Sequence, residues 1–192
     1  MRLAFVGGAT GYTGRALVCA LREGGWDVVA HVRPDSQRLG AFRAEFEALG
    51  AQVDTTAWEP QAIQARMAQL GPDAVFALLG TTRARARREA TRGVDPSANS
   101  YDSVDYRLNR ILLDAAVVCG SEPRFVYLSA MGAEQGRGAY MQVRKRLEVE
   151  AKASGLACTL VRPGFISGAD REERRPAERV AATLSDGMLG LL

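Results

Sequence analysis

Apolar positions recur along this chain with two alternating spacings. Residues 3–6 (LAFV) form a short apolar run of the kind that builds a strand buried on both faces. Glycines follow, and helical spacing then begins (Ala16, Leu17, Ala20, Leu21) until Gly24 and Gly25 close the unit. Residues 27–32 (DVVAHV) predict a second strand, which Arg33 and Pro34 end because proline cannot continue a central ladder. Residues 38–49 carry Leu39, Phe42, Phe46 and Leu49 at helical spacing, with Gly50 as the stop. Residues 52–53 predict a brief third strand. Residues 60–70 predict a helix with Pro60 in its first turn and Ile63, Met67 and Leu70 on one face. Residues 73–79 (DAVFALL) read as a fourth strand. Residues 102–119 predict a strong helix with a broad apolar face (Val104, Leu108, Ile111, Leu112, Ala115, Ala116). A fifth strand (124–128), a Gly-rich loop (129–138), a helix (139–154), a sixth strand (157–161) and helical spacing at 176–184 complete the series. Strands and helices alternating this closely predict one α/β domain over residues 1–192, a doubly wound parallel sheet with helices on both faces.

Residues 80–100 break the rhythm. They are polar, and Arg83, Arg85, Arg87, Arg88 and Arg92 crowd together. The stretch reads as a loop insertion over about 81–100, either solvated or a lid that attracts an anionic substrate or cofactor phosphates. Composition adds limits. Apolar residues at 47% and charged residues at 24% fit an ordinary globular domain with a sizeable core. A formal charge of +3 is too small to argue for nucleic acid. No run of 18 apolar residues predicts a membrane span, and the amino end lacks a signal-peptide pattern. Cys19, Cys119 and Cys158 are far apart and in apolar surroundings. They read as buried thiols in a reducing compartment, and the cytoplasm is the expected location. With the single histidine, His31, read as a core or edge residue and no CxxC, no metal centre is expected.

Candidate chemistry concentrates around the first glycines. Gly8, Gly11 and Gly14 form a G-x-x-G-x-x-G series between a strand and a helix, the context a dinucleotide-binding turn requires. The first glycine permits the tight turn, the second lets backbone approach a pyrophosphate, and the third lets helix and strand pack closely. Thr10, Tyr12 and Thr13 lie in the same turn and share its expected role as cofactor contacts. After the second strand, Arg33 and Arg38 stand where an acidic residue would hold a ribose 2′-hydroxyl. Either suits a 2′-phosphate, so NADP(H) is expected ahead of NAD(H); the alternative is a solvated surface arginine. Ligands in open α/β sheets bind at the carboxyl ends of strands. Leu79, Gly80 and Thr81, then Ser129, then Arg162 and Pro163 are therefore expected to line one crevice with the glycine turn.

Ser129 precedes Tyr140 by eleven residues, and Arg144 follows Tyr140 by one helical turn on the same face. A phenol that works as an acid or base near neutrality needs a nearby cation. The arrangement resembles the short-chain dehydrogenase/reductase superfamily, in which Ser, Tyr and Lys act together. GGATGYTG, HVR, VDYRLNRILLDAA, FVYLSAMGA and TLVRPG are similar to its atypical branch of NmrA-like and NAD(P)H-binding proteins. LGTTR and YMQVRKRLEVEAK are most similar to the Tat-interacting, oxidoreductase-like metastasis-suppressor family and its bacterial relatives. The resemblance implies a Rossmann fold, NADPH binding and oxidoreductase activity. It gives Tyr140 the role of proton donor, Ser129 that of carbonyl-orienting hydroxyl and Arg144 that of the cation, with Tyr140 and Arg144 also touching cofactor. Three departures stand out. Arg144 replaces the family lysine, Asp105 stands where many reductases carry Asn, and the chain ends soon after 179–184, as a short or a truncated form. Three functions follow as expectations. The first is an NADPH-dependent oxidoreductase acting on a small carbonyl or enone substrate. The second is a non-catalytic NADP(H)-binding regulatory or sensor protein with a protein partner. The third is a nucleotide-sugar epimerase or dehydratase. A homodimer through helices is the expected assembly if the chain is not a monomer.

Overall fold

The computed structural model describes residues 2–81, 100–164 and 166. The chain divides after Arg162 into a unit Met1–Arg162 and a unit Pro163–Leu192. Among the described residues, the first unit holds six strands: β1 (Leu3–Gly7), β2 (Asp27–His31), β3 (Gln52–Asp54), β4 (Ala74–Ala77), β5 (Arg124–Leu128) and β6 (Cys158–Val161). They form one sheet in the order β3-β2-β1-β4-β5-β6, and every pairing is parallel. The order reverses between β1 and β4, which makes the carboxyl ends of those two strands the ligand crevice of such a sheet.

Among the described residues, five α-helices connect the strands: α1 (Tyr12–Glu23), α2 (Leu39–Ala48), α3 (Pro60–Leu70), α4 (Asn109–Val118) and α5 (Gly138–Ala153). Strand alternation divides the core between two faces. Ala4 and Val6 of β1 join Val18, Val28, Ala30, Phe42 and Phe46 on the side of α1 and α2. Phe5 joins Ile63, Met67, Leu112, Phe125, Tyr127 and Leu147 on the side of α3, α4 and α5. α2, α3 and α4 bury the faces their apolar spacing marks, around Phe42 and Phe46, Ile63 and Met67, and Leu112, Ala115 and Ala116. α1 differs: it buries Gly14, Val18 and Leu21 and exposes Ala16 and Ala20, which the spacing had put on its apolar face.

Three details differ from the sequence pattern. β4 stops at Ala77, short of residue 79. Leu78 still donates to the Gly7 carbonyl, but the next amide, that of Leu79, turns to the Asn109 side chain at 3.3 Å. The helix expected from residue 102 begins instead as a π-helical stretch, Tyr101–Leu108, which passes directly into α4. Ser100 and Ser103 cap its start reciprocally. The loop after β5 contains a 3-10 turn, Ala133–Gln135. The arginine-rich stretch and the helical spacing at 176–184 lie outside the described residues.

His31 is buried at the end of β2. Its Nε2 lies 2.7 Å from the Thr56 carbonyl and its ring 4.3 Å from that of Trp58, so it is a core residue. Burial lowers its pKa, which keeps the imidazole neutral. Cys119 is buried, Cys19 and Cys158 are half-buried, and all three are free thiols. Among the described residues, no group of His, Cys, Asp or Glu could hold a metal ion. No described helix is long and apolar enough to cross a membrane.

Candidate active site

The glycine turn leaves the end of β1 and enters α1. Gly8 has φ +86°, a left-handed conformation that favours glycine, and a Cβ on it would lie 2.8–3.1 Å from the Leu78 and Leu79 backbone. A Cβ on Gly14 would strike the Gly8 carbonyl oxygen and sit 2.7 Å from Ala9 Cα. Gly11 differs. It is exposed, and a Cβ there would meet only the Gly8 carbonyl, at 3.4 Å. Protein packing therefore accounts for Gly8 and Gly14, while the surface over Gly11 lies open to a ligand. Gly11 also caps α1 without a side chain, and no acidic residue sits in the first turn, so the positive end of the helix is left for an anion. Thr10, Tyr12 and Thr13 are half-buried around it. This cradle fits a dinucleotide pyrophosphate.

Arg33 and Arg38 follow β2, both exposed. Arg33 Nη1 stands 3.7 Å from Asp35, and the Arg38 guanidinium lies over the Phe42 ring at 4.8 Å.

Opposite the glycine turn, the exit of β4 is held by two side chains. Asn109 Nδ2 donates to the Leu79 carbonyl at 2.9 Å, and the Thr81 amide donates to Asp105 Oδ2 at 2.9 Å. Asp105 has no exposed surface, and its Oδ1 accepts from Arg144 Nη2 at 2.5 Å. Gly80 fits against this pair: a Cβ on it would lie 2.9 Å from Arg144 Nη2 and 3.1 Å from Asp105 Oδ1. Burial pushes the Asp105 carboxyl above its ordinary value, against the pull of Arg144 and the Thr81 amide.

Arg144 is itself buried. Its Nη1 donates to the Leu128 carbonyl at 2.7 Å and to the Tyr127 hydroxyl at 3.1 Å. Burial pushes that hydroxyl up to about 12, so it stays protonated. The guanidinium carbon lies 5.0 Å from the centre of the Tyr140 ring, and Tyr101 packs on the same ring at 5.1 Å. The helical spacing of Tyr140 and Arg144 thus does bring phenol and cation together. Arg144 Nε and Thr81 Oγ1 are buried with no partner among the described residues.

Ser129 is placed differently from its expected setting. Its hydroxyl donates to Glu148 Oε1 at 2.6 Å, and Arg162 binds both Glu148 oxygens at 2.8 and 2.5 Å. Burial would raise the Glu148 carboxyl, but the Arg162 guanidinium and the Ser129 hydroxyl outweigh it and hold it below its ordinary value. Pro163, expected beside the cofactor, opens the second unit. Sequence reasoning missed Asp105 and Glu148 as organisers. A signal existed for one of them: Tyr140, Arg144 and Glu148 recur at four-residue spacing on one helix face.

A family model described as NAD(P)H-binding matches residues 8–187. The protein fmp52, mitochondrial, of Aspergillus clavatus is 34% identical over 177 residues, covering 89% of this chain and 69% of that protein. Its namesake from Emericella nidulans is 36% identical over 121 residues, 62% of this chain and 47% of its own length. Both relatives are thus longer than the region they share with this chain. Their names overturn the expectation of a cytoplasmic protein, which rested on cysteine usage and the lack of a signal-peptide pattern. A Serratia marcescens short-chain dehydrogenase/reductase superposes with a TM-score of 0.63 at 18% identity, covering 94% of this chain and 81% of that one. The NADPH-dependent quinone oxidoreductase of Escherichia coli, solved with NADPH, gives 0.60 at 20% identity, over 85% and 49%. UDP-glucose 4-epimerase from Thermotoga maritima gives 0.60 at 20%, over 88% and 57%. At such identities these structures speak for the fold alone, a Rossmann-type NAD(P)-binding domain. With the glycine turn, the sheet order and a match spanning most of its length, the chain belongs to the NAD(P)H-binding family.

Proposed function

We propose that this protein is an NADPH-dependent oxidoreductase of the atypical short-chain dehydrogenase/reductase type, acting on a small carbonyl or enone substrate. The observation that carries the proposal is the Tyr140–Arg144 contact beside the Leu79–Thr81 crevice wall: a phenol 5.0 Å from a buried guanidinium. A bound nicotinamide cofactor supplies the hydride. Tyr140 holds the proton that the reduced oxygen takes up, and the fixed charge of Arg144 favours the phenolate left behind. Arg33 and Arg38 select the 2′-phosphate by forked hydrogen bonds. For Ser129 to orient a carbonyl, its hydroxyl must leave Glu148. Similarity of LGTTR and YMQVRKRLEVEAK to the Tat-interacting family supports the placement within the atypical branch.

A second reading has its own observation. Arg144 is neutralised by Asp105, and Ser129 is engaged with Glu148, an arrangement suited to holding cofactor without turnover. That favours an NADP(H)-binding regulatory protein with a protein partner. The epimerase alternative draws on fold likeness only.

One experiment separates them. NADPH and NADH are titrated by fluorescence against the wild type and Arg33→Ala, then aldehydes, quinones and enones are screened for NADPH consumption. The enzyme reading expects tighter NADPH than NADH binding, an advantage lost in Arg33→Ala. It also expects turnover that falls by about 100-fold or more in Tyr140→Phe. Equal affinity for both dinucleotides would refute the cofactor preference. Turnover indifferent to Tyr140→Phe would remove that residue from the chemistry, and NADPH binding without consumption of any substrate would favour the regulatory protein.

A further inference from the structure

We propose that Asp105 is a positioning residue that ties the helix bearing Tyr140 to the glycine turn, so that cofactor affinity depends on the Asp105–Arg144 pair. The inference rests on dinucleotide binding at that turn and goes beyond it by assigning a role to a residue three strands further along the chain.

The connection can be followed atom by atom. Gly8, at the bend of the turn, packs so closely on Leu78 and Leu79 that a Cβ would lie 2.8–3.1 Å from their backbone. Those residues run into Gly80 and Thr81, and the Thr81 amide is held by Asp105 Oδ2 at 2.9 Å. The other carboxylate oxygen holds Arg144 Nη2 at 2.5 Å, and Arg144 carries the Tyr140 ring against its guanidinium. One carboxylate thus bridges a loop amide and a helix side chain with both of its oxygens. The remaining Arg144 contacts, to the Leu128 carbonyl and the Tyr127 hydroxyl, anchor the guanidinium to the end of β5. The ends of β1, β4 and β5 and the start of α5 are therefore fixed through a single buried ion pair.

Asp105 lies in the π-helical stretch that leads into α4. Asp105 and Asn109 are four residues apart, and Asn109 Nδ2 donates both to the Asp105 carbonyl at 2.8 Å and to the Leu79 carbonyl. Four-residue spacing, across the point where Tyr101–Leu108 passes into α4, sets Asp105 and Asn109 on one face toward the β4 exit. π-helical windings are frequent at functional sites. Removing one member of a buried pair leaves an uncompensated charge that the surroundings must reorganise to accommodate. Here the surroundings are the walls of the crevice.

The test is a double-mutant cycle on the full chain, with NADPH fluorescence as the probe and thermal unfolding beside it. Asp105→Asn and Arg144→Gln are each expected to weaken NADPH binding by roughly 10-fold or more, and the double variant to bind no worse than the weaker single one. Met67→Ala, which leaves a cavity in the core under α3, is expected to lower Tm and to bind NADPH as the wild type does. If Asp105→Asn does not fold, Asp105→Glu takes its place, keeping the charge but displacing both partners, and is expected to bind more weakly. Wild-type affinity in the folded Asp105 variant, losses that multiply in the double variant, or an equal loss in Met67→Ala would each overturn the positioning role. Failure of the wild type to bind NADPH would instead defeat the dinucleotide reading beneath it, and the positioning role with it.

Discussion

Gly11 and Gly14 stand three residues apart in one turn and answer to different demands. Gly14 is required by the protein, because any Cβ there collides with the Gly8 carbonyl. Gly11 has room for a methyl group and a backbone, φ −75° and ψ 165°, that alanine adopts without strain. Gly14→Ala should therefore cost about 1–3 kcal/mol or more of stability, the range for forcing a group into a packed site. Gly11→Ala should stay within about 1 kcal/mol of the wild type, as expected for an exposed cap position, and yet bind NADPH far more weakly. Chemical denaturation and NADPH titration on the two variants measure both quantities. A stable Gly11→Ala with intact binding would show that the open surface above it receives no phosphate.

At the scale of elements, α5 organises the site. One face presents Tyr140, Arg144 and Glu148 in successive turns. Arg144 binds the β4 exit through Asp105, and Glu148 binds the β5 exit through Ser129 and the β6 exit through Arg162. The Glu148 carboxyl is held below its ordinary value, so its contribution is present above the unfolded value of about 4.3 and is lost as pH falls through the folded one. Glu148→Gln should accordingly have a lower Tm than the wild type at pH 7, with the gap closing as pH falls below about 4. A gap that does not narrow in acid would mean that Glu148 stabilises the helix by packing and not by charge. The Tyr–Arg spacing was legible in the sequence because four residues make one turn of helix. The partners of Arg144 and Ser129 were not, since Asp105 and Glu148 meet them through tertiary packing. The π-helical winding was hidden for a related reason: apolar residues at 104, 108, 111 and 112 satisfy α-helical spacing equally well.

Across the whole molecule, the parallel sheet and the division of helices between two faces followed from the alternation of apolar runs and glycine breaks. Right-handed crossovers leave little freedom once six short strands alternate with helices. Boundaries were less legible where side chains from elsewhere compete for backbone groups, as Asn109 does at the end of β4. Location proved the weakest inference, because thiol spacing reports redox setting and carries no address, and the relatives named mitochondrial contradict it.

The central claim is that the turn at Gly8, Gly11 and Gly14 receives a dinucleotide whose nicotinamide faces Tyr140 and Arg144. A crystal structure of the chain grown with NADPH tests it most directly. The pyrophosphate is predicted to lie on the backbone at the start of α1, over Gly11, with the nicotinamide between the β4 exit and the Tyr140 hydroxyl. Density for the cofactor elsewhere on the molecule, or a nicotinamide turned away from Tyr140, would contradict it.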